Sequence, residues 1–139
     1  MLNLKTKFGR KVSKHIREEY VIWLTTIGPD GGPQPRPVWF VWDQGTILIY
    51  SQPNAFKVAH IKAHKKVALN FNTDPKGDVD VVVLRGTACI DKSAPPANKM
   101  RTYLKKYREG ILDLKMTPED YGREYSISIR VTLTAMRGW

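Results

Sequence analysis

Apolar residues along this chain recur mostly at every second position, and the strictest case is near its end. Ile127, Ile129, Val131, Leu133 and Ala135 alternate with Ser126, Ser128, Arg130, Thr132 and Thr134, as in a strand with one buried face. Runs of similar character cover Val21–Ile27, Val38–Trp42, Thr46–Tyr50, Lys66–Thr73 and Val79–Ile90, the last with a bend expected at Gly86. Between them lie stretches of helical period. Phe8, Val12, Ile16 and Tyr20 are spaced four apart, Ala55–His64 forms a short helix, and Met100, Tyr103, Leu104, Tyr107 and Ile111 stripe a helix running from Ala94 to Glu109. Pro95 and Pro96 suit its first turn, and a helical turn follows Thr117-Pro118-Glu119. Six strands at short spacing, with helices in the gaps, predict a mainly β, six-stranded antiparallel barrel formed by one domain over 1–139.

The stretch from Pro33 to Lys57 departs from simple alternation. Val38–Trp42 and Thr46–Tyr50 are joined by Asp43-Gln44-Gly45, a hairpin signal. Pro33, Pro35 and Pro37 lead into it, and a residue without a backbone N–H belongs at a sheet edge or barrel mouth. Val38, Phe40 and Trp42 point one way and Trp39 and Val41 the other, so both faces of the hairpin are apolar and both need cover. A closed barrel supplies one cover; a helix or a partner subunit supplies the other.

Composition narrows the class. With 42% hydrophobic and 26% charged residues the chain has the balance of a soluble globular protein, and no apolar run approaches a membrane span. The N-terminus MLNLKTKFGRK is basic and lacks an apolar signal core, which predicts a cytoplasmic protein. Cys89 is the sole cysteine, so an intrachain disulfide and a multi-cysteine metal site are excluded; its Val/Leu-rich surroundings predict a buried, inert thiol. The net charge of +10 favours a polyanionic or phosphorylated partner. The aromatics sit in continuous apolar runs rather than alternating with basic residues, which argues against single-stranded nucleic acid.

Candidate chemistry is sparse. There is no Ser-His-Asp pattern, nucleophile elbow or apolar carboxylate pair. Gly28-Pro29-Asp30-Gly31-Gly32 has no GK[ST] after it and leads to a strand, so it is not a phosphate loop. His60 and His64 stand at i, i+4, but the acid of an HExxH motif is absent and Lys62, Lys65 and Lys66 would repel a dication, which argues against metal. The turn Ser51-Gln52-Pro53-Asn54 feeding a helix places N–H groups, a hydroxyl and Lys57 around one point, suited to an anion such as phosphate and assisted by His60. The plainer alternative is a helix capped by Asn54 with Lys57 in solvent. An enzyme built this way would rely on a bound cofactor for its chemistry. The Arg36-Pro37-Val38-Trp39 strand, the Ser51/Lys57 point and the terminal Arg137-Gly138-Trp139 suit a flat ring bearing a phosphate, with Trp139 packing on a second subunit or a ligand.

The segment TTIGPDGGPQPRPVWFVWDQGTILIYSQPNAFKVAHIKAHKKVALNFNTDPKGDVDVVVLRGTA and the ending RVTLTAMRGW resemble the pyridoxamine 5'-phosphate oxidase-like split-barrel flavoproteins. The PVWF strand, the YS-turn-K segment and the terminal RGW resemble most a short branch associated with the deazaflavin coenzyme F-420 rather than FMN. The resemblance implies a PNP oxidase-like split β-barrel, a homodimer with two cofactors at its interface, and oxidoreductase activity on a small-molecule substrate. By position, Arg36, Pro37, Val38 and Trp39 would line the ring, and Ser51, Gln52 and Lys57, assisted by Lys62, would bind the phosphate. Arg137 and Trp139 would come from the second subunit. Phe56 stands before Lys57 where pyridoxamine phosphate oxidases carry an arginine-lysine pair, which argues against pyridoxamine phosphate as substrate. The charge favours F-420, whose oligoglutamate tail adds carboxylates to the phosphate; FMN is the alternative cofactor, and a non-catalytic flavin or tetrapyrrole carrier the alternative function.

Overall fold

The computed structural model describes residues 2–139. Seven strands, β1 (Ile22–Ile27), β2 (Pro33–Val38), β3 (Val41–Asp43), β4 (Thr46–Ser51), β5 (Lys66–Asn70), β6 (Val82–Ile90) and β7 (Ile127–Gly138), form one sheet in the order β2-β1-β5-β6-β7-β4-β3. Every neighbouring pair is antiparallel. The helices are α1 (Lys7–Glu18), α2 (Phe56–Ala63), α3 (Arg101–Asp113) and α4 (Pro118–Glu124).

The sheet has seven strands rather than the predicted six because the proline-rich lead-in is itself a strand. Val38–Trp42 is not continuous: β2 ends at Val38, the chain turns through Trp39 and Phe40, and β3 starts at Val41. β2 and β3 are opposite edges of the sheet, yet only those two residues separate them, which the chain spans in roughly 10 Å. The sheet must therefore curl until its edges meet, which makes it a split barrel. Pro33, Pro35 and Pro37 pair with Ile27, Thr25 and Trp23. At alternate positions their missing N–H groups all fall on the free side of β2, where no ladder needs them.

Curling produces two cores. Inside the barrel, Val38 and Phe40 join Ile22, Leu24, Ile47, Ile49, Leu84 and Val131. Val12 and Ile16 of α1 cap this core, with Phe8 packed against it, and Val58 and Ile61 of α2 enter it as well. Outside, Val41, Leu48 and Tyr50 are covered by Met100, Tyr103, Tyr107 and Ile111 of the α3 stripe and Tyr121 of α4, with Trp39 packed alongside. The predicted two-sided cover is thus real, but Trp42 is 36% exposed and belongs to neither core.

Local details follow from local chemistry. Thr6 caps α1 by accepting from the Gly9 amide, and Thr117 opens α4 in a capping box with Asp120. Pro95 and Pro96 do not open α3; they precede a 3-10 turn at Ala97–Lys99, and α3 starts at Arg101. The bend at Gly86 is a bulge, the register passing from Arg85↔Ala135 to Gly86↔Leu133. A Cβ there would lie 2.5 Å from the Thr132 carbonyl oxygen, so only glycine allows the close approach. Past the bulge the alternation of β7 reverses, and Met136 instead of Ala135 packs against the inner core.

Candidate functional site

The turn at Trp39–Phe40 removes two residues from the ladder, and their backbone groups must bond elsewhere. For Phe40, α3 supplies the partners. Tyr107 Oη accepts from the Phe40 amide at 2.7 Å and shares its own proton between the carbonyls of Phe40 (2.8 Å) and Tyr20 (2.9 Å). Lys106 Nζ donates to the same Phe40 carbonyl at 2.9 Å and lies 3.7 Å above the Phe40 ring. Burial lowers the Lys106 pKa from its ordinary 10.5 to about 8, against a smaller upward pull from Glu19.

This clamp orients Trp39. Its indole stacks on Tyr107 at 4.6 Å and 4° and on Tyr121 at 5.7 Å and 19°, and Tyr121 stacks in turn on Tyr125 at 4.2 Å and 12°. Gly110 makes room for it, because a Cβ there would meet the Tyr20 hydroxyl and lie 2.8 Å from the Trp39 ring. All six tyrosines of the chain take part in this outer cluster, at positions 20, 50, 103, 107, 121 and 125.

A cavity of about 370 Å3 opens beside the stack, lined by Pro37, Val38, Trp39, Tyr50, Lys57, Tyr121 and Tyr125 together with Val21 and Leu114. It lies within the size range of small-ligand sites. The hydroxyl of Tyr50 is committed to the Pro95 carbonyl at 2.6 Å, and that of Tyr121 to Tyr103 at 2.7 Å. Tyr125 Oη has no hydrogen-bond partner among the described residues, and burial, aided by Glu124, raises its pKa, so it stays a protonated donor.

At the other end stands Lys57 at the second position of α2. No side chain caps this helix: Ala55 occupies the cap position and Asn54 does not bond to it, so the plainer reading of a capped helix does not hold. The Val58 N–H bonds to the Ala55 carbonyl at 3.1 Å, and those of Phe56 and Lys57 are left open beside an ammonium. Burial first, and Arg36 second, depress the Lys57 pKa, so these two cations stand close enough to repel. An anion placed between them would offset both the burial of the ammonium and the repulsion by Arg36. This donor set fits a phosphate, and the flat aromatic wall fits a planar ring.

Pro37, Val38, Trp39 and Lys57 are therefore brought together, with Arg36 beside them. Ser51 is buried and its hydroxyl donates to the Gln52 carbonyl at 3.0 Å, while the Gln52 amide donates to Glu124 at 2.8 Å. Lys62 lines a different cavity, on the far side of α2 from Lys57. Arg137 lies in a shallow depression with Val83 and Arg85. Trp139 is 65% exposed; its backbone pairs with Val81 and its indole N–H donates to the Asp78 carbonyl at 2.9 Å. His60 Nδ1 is 2.9 Å from Thr26 Oγ1, which ties it to β1. Cys89, expected to be buried, is exposed because it points away from the barrel interior on β6. Tyr121 and Tyr125 are site residues that the linear pattern did not single out, although their i, i+4 spacing is the trace of their stacking.

A sheet curled so that its edges meet, with a planar aromatic wall and an uncapped helix N-terminus at the seam, defines a split barrel. The sequence profile of the pyridoxamine 5'-phosphate oxidase family matches residues 8–139, and the chain belongs to that family. Among solved structures, an F420 reductase aligns at 26% identity and a TM-score of 0.67, covering 90% of this chain and 94% of its own. The conserved hypothetical protein Rv2991 from Mycobacterium tuberculosis aligns at 17% identity and a TM-score of 0.74, covering 94% of this chain and 82% of its own. The heme storage protein HutZ from Vibrio cholerae aligns at 10% and 0.63, covering 98% and 94%; these last two likenesses are of fold alone. No curated protein matches the chain.

Proposed function

We propose that this protein is an oxidoreductase that uses coenzyme F-420 to reduce a small unsaturated or conjugated substrate, acting as a homodimer. The observation that carries this reading is the cavity with a planar Trp39–Tyr121–Tyr125 wall and the uncapped α2 N-terminus, Lys57 and Arg36 at one end. When bound, the deazaflavin would supply the hydride. Lys57 and the open amides of α2 hold the phosphate, and Arg36 adds a second charge. Trp39, fixed by Tyr107, forms one side of the ring slot and excludes water. Tyr125 Oη donates to a substrate oxygen and holds the proton that the product takes up. The net charge of +10 suits the acidic tail of F-420 more than FMN.

Titration of the purified protein with F-420 and with FMN, followed by absorbance and fluorescence, tests the reading. Saturable F-420 binding is expected, and Lys57→Gln should weaken it about 10- to 100-fold by removing a charge-assisted contact. Tight FMN binding without F-420 affinity would overturn the choice of cofactor. Retention of neither would overturn the site.

A further inference from the structure

A second cavity, of about 870 Å3, is more than twice the volume of the 370 Å3 one that holds Lys57. It lies at the opposite end of α2, between the last turn of that helix, the end of β6 and the start of β7. Ile61, Ile90 and Ile127 give it apolar lining, and Lys62, Lys65 and Lys92 bring three ammonium groups to it. None of these lysines has an ion-pair partner among the described residues. The only acid in the lining, Asp91, is committed elsewhere: it accepts from Arg130 Nε at 2.7 Å and from the Ser93 hydroxyl at 2.6 Å. Ser128 also lines the cavity, and its hydroxyl bonds to no other group among the described residues and is open to the cavity.

The three lysines are exposed at the rim of the cavity, so its mouth is positive while its floor is apolar, and an anion would complement that rim. A wholly hydrated anion would not need the isoleucines. We propose that this cavity binds an amphiphilic anion, its short aliphatic body against Ile61, Ile90 and Ile127 and its single phosphate or carboxylate head against the lysines and the Ser128 hydroxyl. The site is separate from the Lys57 cavity and does not depend on which cofactor that cavity takes. It also gives Lys62 a role that its distance from the Lys57 cavity leaves open.

Cys89 lines the same cavity and is the sole cysteine, so its modification by a thiol reagent reports on occupancy. On the full chain, octyl phosphate should slow that modification and bind saturably by calorimetry, whereas octanol and inorganic phosphate at equal concentration should do neither. Lys62→Glu with Lys65→Glu should raise the half-saturating octyl phosphate concentration at least about ten-fold. Lys14→Glu with Arg17→Glu, the same charge change on exposed positions of α1, should leave it unchanged. Absence of saturable binding would overturn the proposal. So would equal binding of octanol, equal binding of inorganic phosphate, or an equal loss in the α1 control.

Discussion

Tyr107 is the residue on which the seam turns. Its hydroxyl receives the Phe40 amide and returns its proton to a carbonyl, so one side chain satisfies a strand break that lies in a buried place. Tyr107→Phe keeps the ring and its stacking on Trp39 but leaves the Phe40 N–H without a partner, and should lower unfolding free energy by ~1–3 kcal/mol in denaturant titration. Lys106 makes a different kind of contribution. Its folded pKa of about 8 lies below its ordinary 10.5, so between those values the unfolded chain binds more protons and stability from this group rises with pH. Below about pH 8 both states carry the charge and the folded state bears the full desolvation cost. Lys106→Met should therefore flatten the stability–pH curve between about 8 and 10.5, read as the difference in Tm between variant and parent across that window.

Among elements, α3 acts as a buttress for the site rather than as part of its lining. It contributes only its C-terminal neighbour Leu114 to the cavity, yet Tyr107 and Gly110 set where Trp39 lies. Gly110→Ala would push a methyl into the Trp39 ring and the Tyr20 hydroxyl. Overpacking of this kind costs about 1–3 kcal/mol, and it should weaken F-420 binding in the same titration although residue 110 touches no ligand. A variant that loses stability while keeping parent affinity would show that the indole position is immaterial to the slot. α2 acts from both ends: its open N-terminus belongs to the Lys57 cavity and its last turn to the lysine-lined one.

For the whole molecule, the outer surface of the sheet matters most. Val83, Arg85 and Thr87 point outward in a row along the first part of β6, all exposed, and Val83 is 42% exposed. Arg137 and Trp139 extend this surface at one end. An apolar and arginine-bearing sheet face of this kind is suited to a second copy, which would bring Arg137 and Trp139 against the partner's ring slot. Sedimentation should give twice the 15.9 kDa chain mass, and Val83→Glu should shift the protein towards monomer with a parallel loss of cofactor affinity. A monomeric parent that binds cofactor normally would contradict this arrangement. Among the described residues, no helix is long and apolar enough to cross a membrane.

Much of this was readable along the chain. Periods of two and four located the strands and the α1 and α3 stripes, since burial of one face leaves that trace wherever an element is regular. The prolines marked an edge because a missing N–H has the same consequence in any fold. What the linear pattern could not contain was set by curling. Continuous apolar residues from Val38 to Trp42 read as one strand, but the split into β2 and β3 depends on Tyr107 and Lys106, more than sixty residues away, satisfying the Phe40 backbone. Exposure of Cys89 and Trp42 likewise depended on which side of a rolled sheet they reached. The separation of Lys62 from Lys57 and the stacking of Tyr121 and Tyr125 on Trp39 are also tertiary facts. Local sequence determines which face of an element is apolar; only the closed barrel decides what that face meets, because the partners come from distant parts of the chain.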